Sequence, residues 1–168
     1  MRMNGEQVPE RDPGVVAEAG ADPAAHWIAR AERLDRAAAE VEAAIAGPDD
    51  KFLAKWCRAQ AAGYRAVAEK EGNIAAYAIT SEGGGRPPKR YVIEGLCGFA
   101  WITVPGNRPF GRWAGRNGWD KGYPKGRQYW VSNFGQSAER KEAFAYAAAR
   151  HLREVEGIKD AYAGSRLD

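Results

Sequence analysis

The sequence predicts an α+β fold in which an antiparallel helical hairpin precedes a small mixed α/β unit. Two observations carry the prediction: apolar residues recur at helical spacing between residues 22 and 72, and beyond a Gly/Pro-rich break at 81–90 they alternate or run together as strands do. The domain organisation that follows is a flexible tail over 1–21, a hairpin over 22–72, a connection and linker over 73–90, and a basic, aromatic-rich unit over 91–168.

The first 21 residues mix Gly, Pro, Glu and Asp with few large apolar groups and are expected to be mobile. Asp22-Pro23 then offers a capping carboxylate followed by a proline whose missing N–H costs nothing at the first helical position. Trp27, Ala31, Leu34, Ala38, Val41 and Ile45 follow at alternating spacings of four and three, one narrow seam on a helix that should run to Ala46 and stop at Gly47-Pro48. Asp49 or Asp50 is the expected cap of a second helix, whose apolar face holds Phe52, Leu53, Trp56, Cys57, Gly63, Tyr64 and Val67 and which closes at Glu71-Gly72. So short a connection makes the helices antiparallel neighbours. The alanine-rich seam predicts close packing, either on the C-terminal half or on a second copy as a homodimer.

Residues 73–80 fit a helix extension or a strand equally well. After the linker, Tyr91-Val92-Ile93 and the apolar run CGFAWITV, ending at Val104, read as buried strand. Residues 108–116 suggest a short helix carrying Phe110 and Trp113, 117–126 a loop, and RQYWVSNF at 127–134 a half-buried strand. Ser137 caps a last helix to about Glu156, with Phe144, Ala147, Ala148, Leu152 and Val155 inward, and Ile158–Ala163 returns as a third strand. The order of the unit is thus strand, helix, strand, helix, strand.

Charge is unevenly divided: residues 1–50 hold five Lys/Arg against eleven Asp/Glu, net −6, while 51–95 carry +4 and 96–168 carry +5. Such a chain either presents a polyanion-binding face beside an acidic arm or brings two complementary faces together on assembly. Cys57 and Cys97 lie at no metal-ligand or redox spacing and are expected to be reduced and buried. No apolar run reaches the about 20 residues of a membrane span, and the first residues lack the apolar core of a signal peptide. The expectation is a soluble, intracellular protein without membrane contact.

Catalytic patterns are sparse. His26 and His151 stand apart from any Cys or carboxylate cluster, GWDKGYPKG lacks the GK[ST] ending of a phosphate-binding loop, and Asp120 is the one carboxylate inside the aromatic loop. These features argue against an enzyme more than for one, and they name no catalytic residue, metal or cofactor. The stronger signal is a stretch from Phe99 to Lys141 holding nine of the chain's eighteen aromatics, with eight Lys/Arg against Asp120 and Glu139 between 105 and 141. Cations that contact phosphates interleaved with rings that stack on bases suit nucleic acid. Core filling competes for the same rings, and Phe99, Trp101, Trp130 and Phe144 are placed for it. Trp119 and Tyr123, in a Gly/Pro loop beside lysines, are the candidate binding rings. The candidate nucleic-acid or anion site is Arg112, Arg116, Trp119, Lys121, Tyr123, Lys125, Arg127, Gln136, Arg140 and Lys141, with Gln136 and Ser137 at a helix N-terminus that attracts anions.

CGFAWITVP, GWDKGYPKG, QYWV, GQSAERKEAFA and the ending AYAGSRLD resemble a set of uncharacterised conserved small proteins of tailed bacteriophages, over about Leu96 to Asp168. The resemblance implies a phage or prophage product in the bacterial host cytoplasm or the virion, and no particular activity. Three classes of function stay open: a non-enzymatic nucleic-acid-binding protein, a virion-associated or host-directed factor that docks on a host or phage protein, including in counter-defence, and capture of anionic nucleotide ligands.

Overall fold

The computed structural model describes residues 22–44, 47–71, 77–79, 90–92 and 96–168, the segments at 77–79 and 90–92 through their backbone alone. The chain is α+β. Helices α1 (Pro23–Ala44) and α2 (Pro48–Lys70) form the hairpin, and a short antiparallel pair follows, β1 (Tyr77–Ile79) with β2 (Arg90–Val92). The rest reads β3 (Gly98–Val104), α3 (Pro109–Arg116), β4 (Asp120–Lys121), β5 (Arg127–Trp130), α4 (Ala138–Glu154) and β6 (Tyr162–Leu167). The last four strands make one antiparallel sheet in the order β4-β5-β3-β6.

The helix starts follow from their caps. Asp22 Oδ1 accepts the Ala24 N–H at 3.0 Å, and the Ser137 side chain accepts the Arg140 N–H at 3.4 Å. At α2 the expected cap is corrected: Gly47, in extended conformation and without a side-chain bond, is the N-cap, Pro48 is the first helical residue, and Asp49 and Asp50 sit in the first turn rather than at the cap. There their charge complements the helix dipole. The strand expected at Ile158–Ala163 begins later, at Tyr162, and the stretch read as loop contributes β4, which makes a hairpin with β5. The expected tail, most of the linker, Ile45 and Ala46 lie outside the described residues.

The seam predicted on α1 is buried within this one chain. Trp27, Ala31 and Ala38 are buried chiefly against α2, and α2 in turn packs on α4. Gly63 makes the α2–α4 approach possible: a Cβ there would fall 2.6 Å from the Phe144 ring. One core runs through both halves. Trp27 stacks on Tyr64, Tyr64 meets Phe144 edge-on, and Trp56 wedges between Trp119 and Tyr129.

Charge complementarity fastens the same joint. The Arg140 guanidinium grips both Glu71 oxygens at 2.8 and 2.9 Å while Glu71 also accepts the Trp27 Nε1–H at 2.7 Å. Arg58 of α2 donates to both oxygens of Glu156 beyond the end of α4, at 2.5 and 2.9 Å. Glu42 pairs with Arg58, Asp35 with Arg65 and Asp49 with Arg116, so part of the sequence's acidic-to-basic asymmetry is consumed in folding.

Candidate functional site

Strand parity decides what the sheet presents. Along β3, Gly98, Ala100, Ile102 and Val104 point to the helices and are buried, whereas Phe99 and Trp101 point the other way and are half-buried. Register carries that second face across the sheet: Trp101 pairs with Trp130 of β5 and with Gly164 of β6, and Phe99 pairs with Arg166. Among the described helices, α4 covers the β3–β6 side and α3 approaches β5, both on the face of Ala100 and Ile102.

The outer face is a contiguous aromatic surface. The Trp101 and Trp130 ring centroids are 5.2 Å apart and tilted, Phe99 lies edge-on to Trp130 at 6.4 Å, and Trp130 remains 40% exposed. The Arg166 guanidinium sits 5.2 Å from the Phe99 ring centroid, holding a cation at one end of the cluster. Gly164 lets the Trp101 indole lie down on the neighbouring strand, since a Cβ there would come within 2.7 Å of its Cε2 and Cζ2.

The second feature is the β4–β5 hairpin. Gly122 N–H bonds to Gly126 O at 3.1 Å, and the tip between them carries Tyr123, 92% exposed, and Lys125, with Lys121 at its base. Gly126 has φ +106, in the region that favours glycine, and a Cβ there would strike Val104 O at 2.7 Å. The tip is thus a cationic, aromatic projection pinned to the end of β3.

The fold divides the sequence-predicted site residues. Lys121, Tyr123 and Lys125 come together at the tip. Trp119 does not belong with them: it is 5% exposed, packed against Trp56, Phe110 and Tyr129, because the turn after α3 directs its ring into the core. Arg140 is consumed by Glu71, and Lys141 is buried with its Nζ donating to Gly98 O at 3.0 Å and lying 5.5 Å from the Phe99 centroid. Arg116 pairs with Asp49 at 3.0 Å, Arg112 donates to Asn107 O at 2.8 Å, and both stay exposed. Half-buried Arg127 runs beside Gly115 of α3. Gln136 is exposed, with its Oε1 accepting from Cys97 Sγ at 3.0 Å.

Phe99, Trp101 and Trp130, assigned to the core with Phe144, are the converse correction. Phe144 is fully buried, but the other three form the outer face. The signal was in the sequence as parity, since Phe99 and Trp101 share one side of β3 and Trp130 shares one side of β5 with Gln128. Which side the helices would cover required the register.

Of the thiols, Cys57 is buried, and burial raises it above the usual range despite Arg58 beside it, whereas Cys97 is exposed, contrary to expectation. Burial likewise raises the Tyr129 hydroxyl. Among the described residues no group of three His, Cys, Asp or Glu could hold a metal ion, and no helix is long and apolar enough to cross a membrane. Asp120 is exposed on β4 opposite Gln128. No family model matches the chain, and neither a curated protein nor a solved structure does.

Proposed function

We propose that the protein is a non-enzymatic binder of single-stranded nucleic acid, with bases stacking on Phe99, Trp101 and Trp130. The observation that carries this reading is the row of three rings on the sheet face opposite Ala100 and Ile102, with Arg166 and Lys141 of α4 both beside Phe99 at its end and Trp130 the exposed ring. Flat rings on an antiparallel sheet stack unpaired bases of any sequence, at about 1–3 kcal/mol per base. A duplex hides its base faces, so the platform favours single strands.

The hairpin tip supplies the electrostatic part. Strand β5 leads from the tip to Trp130 in four residues, about 10 Å at about 3.3 Å per residue, so one short strand of nucleic acid reaches both features. Lys121 and Lys125 there contact phosphates, and Tyr123 stacks at the margin. The resemblance to tailed-phage proteins supports a setting in an infected bacterial cytoplasm or in the virion.

The test is fluorescence anisotropy of labelled oligo-dT, oligo-U and a mixed-sequence duplex at low and near-physiological salt. Single strands should bind more tightly than duplex, affinity should fall as salt rises, and Trp130→Ala should weaken binding about tenfold or more. Equal affinity for duplex, or indifference to Trp130→Ala, would remove the proposal.

A further inference from the structure

The parity that turns Trp101 and Trp130 to one side of the sheet turns Lys121 and Arg127 to the other. These two pair directly across β4 and β5, on the side of Val104, Tyr129 and the helices. Like charges held directly opposite each other cost stability, and neither cation has an ion pair with any described residue. Helix α3 meets them there. Gly106, in the turn before α3, lies against Gly126 at the base of the hairpin, and half-buried Arg127 runs so close to Gly115 that a Cβ there would stand 2.6 Å from its Nε. One turn back along α3 is Arg112, and Arg108 is the N-cap, both exposed. Arg112 donates to Asn107 O at 2.8 Å, and neither arginine makes an ion pair with a described residue. Arg116, next on the same stripe, has its charge met by Asp49, and Asp120 faces the opposite side of the hairpin with Gln128.

We infer that Arg108, Arg112, Lys121 and Arg127 form a second contact surface, behind the rim of the sheet, that takes phosphates of the same strand whose bases lie on Phe99, Trp101 and Trp130, an assignment that rests on the single-strand reading above. Four cations without a counter-ion among the described residues call for a polyanion. Arg108 and Arg112 stand about 6 Å apart along the helix axis, so successive phosphates of one chain can each meet a guanidinium. The exposed residues beside them, Asn107, Pro109 and Asn117, include no large apolar side chain to anchor a protein partner. The route from the rings is short. Strand β4 pairs with Arg127 and Gln128 alone, so at Trp130 strand β5 is itself the rim among the described residues, and α3 packs behind it. A strand leaving the Trp130 ring turns over that rim to reach Lys121 and the arginines.

The experiment is fluorescence anisotropy of labelled oligo-dT of about 6 and about 16 nucleotides, titrated over a range of salt with the full chain, Arg108→Gln, Arg112→Gln and Trp130→Ala. The longer probe should show the steeper salt dependence, since the shorter one covers the rings alone. Arg108→Gln and Arg112→Gln, both at exposed positions, should each lower the slope for the longer probe by about 0.7, the value for one phosphate on a single strand, and weaken it about fivefold at about 0.1 M salt. The shorter probe should not respond to them, whereas Trp130→Ala should weaken both. If the shorter probe is too weak to saturate, the slope of the longer one decides. Unchanged affinity and slope for the longer probe in the arginine variants would overturn the proposal and leave the aromatic platform standing. Loss in the arginine variants with none in Trp130→Ala would remove the platform and retain the cluster as a phosphate site. Equal loss on both probes would overturn a separate surface behind the rim. Poly-glutamate that displaces the longer probe as well as unlabelled oligo-dT does, at equal charge, would mark a surface for acidic protein and overturn the proposal as well.

Discussion

The indole of Trp101 lies across the bare Cα of Gly164 on the neighbouring strand, and that contact sets the height of the aromatic face. A Cβ at 164 would stand 2.7 Å from two ring carbons and 2.9 Å from Nε1. Gly164→Ala should therefore tilt Trp101 away from the sheet, at a cost of about 1–3 kcal/mol for the misfit. Single-stranded nucleic acid should bind more weakly, because the platform is no longer flat, and the tryptophan emission should shift. Unaltered affinity with an altered emission spectrum would show that the flatness of Trp101 is not part of binding.

Two tryptophans separate binding from folding. Trp130→Ala removes a ring that is 40% exposed, so stability should fall by less than for a fully buried ring, by about 1–3 kcal/mol, while the folded fraction loses single-strand affinity. Trp119→Ala removes a ring packed among Trp56, Phe110 and Tyr129, and should cost about 3–5 kcal/mol in urea unfolding. Any loss of binding in the Trp119 variant should be proportional to the fraction unfolded. Specific loss in the folded fraction would return Trp119 to the binding surface.

These two residues also show what the sequence could tell. Both lie in a Gly- and aromatic-rich stretch, and local composition reads them alike, which is why Trp119 looked like a loop ring and Trp130 like a core ring. Helix caps and seams were legible because they depend on near neighbours in the chain: Asp22, Ser137 and the Trp27–Ala31–Ala38 seam lie where periodicity places them. The face of a sheet is different. It depends on pairing partners far along the chain, such as Gly164 for Trp101, and on which side α4 settles. The fates of Arg140 and Lys141 were hidden for the same reason, since Glu71 and Gly98 reach them only through the tertiary fold.

Gly63 on α2 sets two opposing effects against each other. Alanine would gain about 1 kcal/mol of helix propensity, but its Cβ would lie 2.6–2.9 Å from three atoms of the buried Phe144 ring. An aromatic ring closed in by Tyr64 and Phe134 has nowhere to turn, so overpacking of about 2–3 kcal/mol wins. Gly63→Ala should be destabilising by about 1–2 kcal/mol, and combining it with Phe144→Leu should recover part of that loss. A stabilised single variant would show that α2 and α4 can move apart freely.

The carboxyl of Glu156 should govern how the fold responds to acid. Burial alone would raise it, but hydrogen bonds and charge from Arg58 and His151 outweigh burial and hold it below the usual carboxylate range. Arg58 donates to both of its oxygens, His151 Nε2 lies 3.1 Å from Oε1, and Lys55 Nζ donates to the Glu156 backbone carbonyl at 2.7 Å, so the group ties α2 to the end of α4. A carboxyl depressed in the folded state contributes stability that is fully present above its ordinary value of about 4.5 and is lost as pH falls through the lower folded value. Unfolding free energy measured by urea titration should therefore decline below about pH 4.5, in proportion to protonation of this site. Glu156→Gln should lower stability at neutral pH by about 2 kcal/mol and flatten that acid limb. Full acid dependence persisting in the Glu156→Gln variant would show that Glu156 does not govern the acid limb.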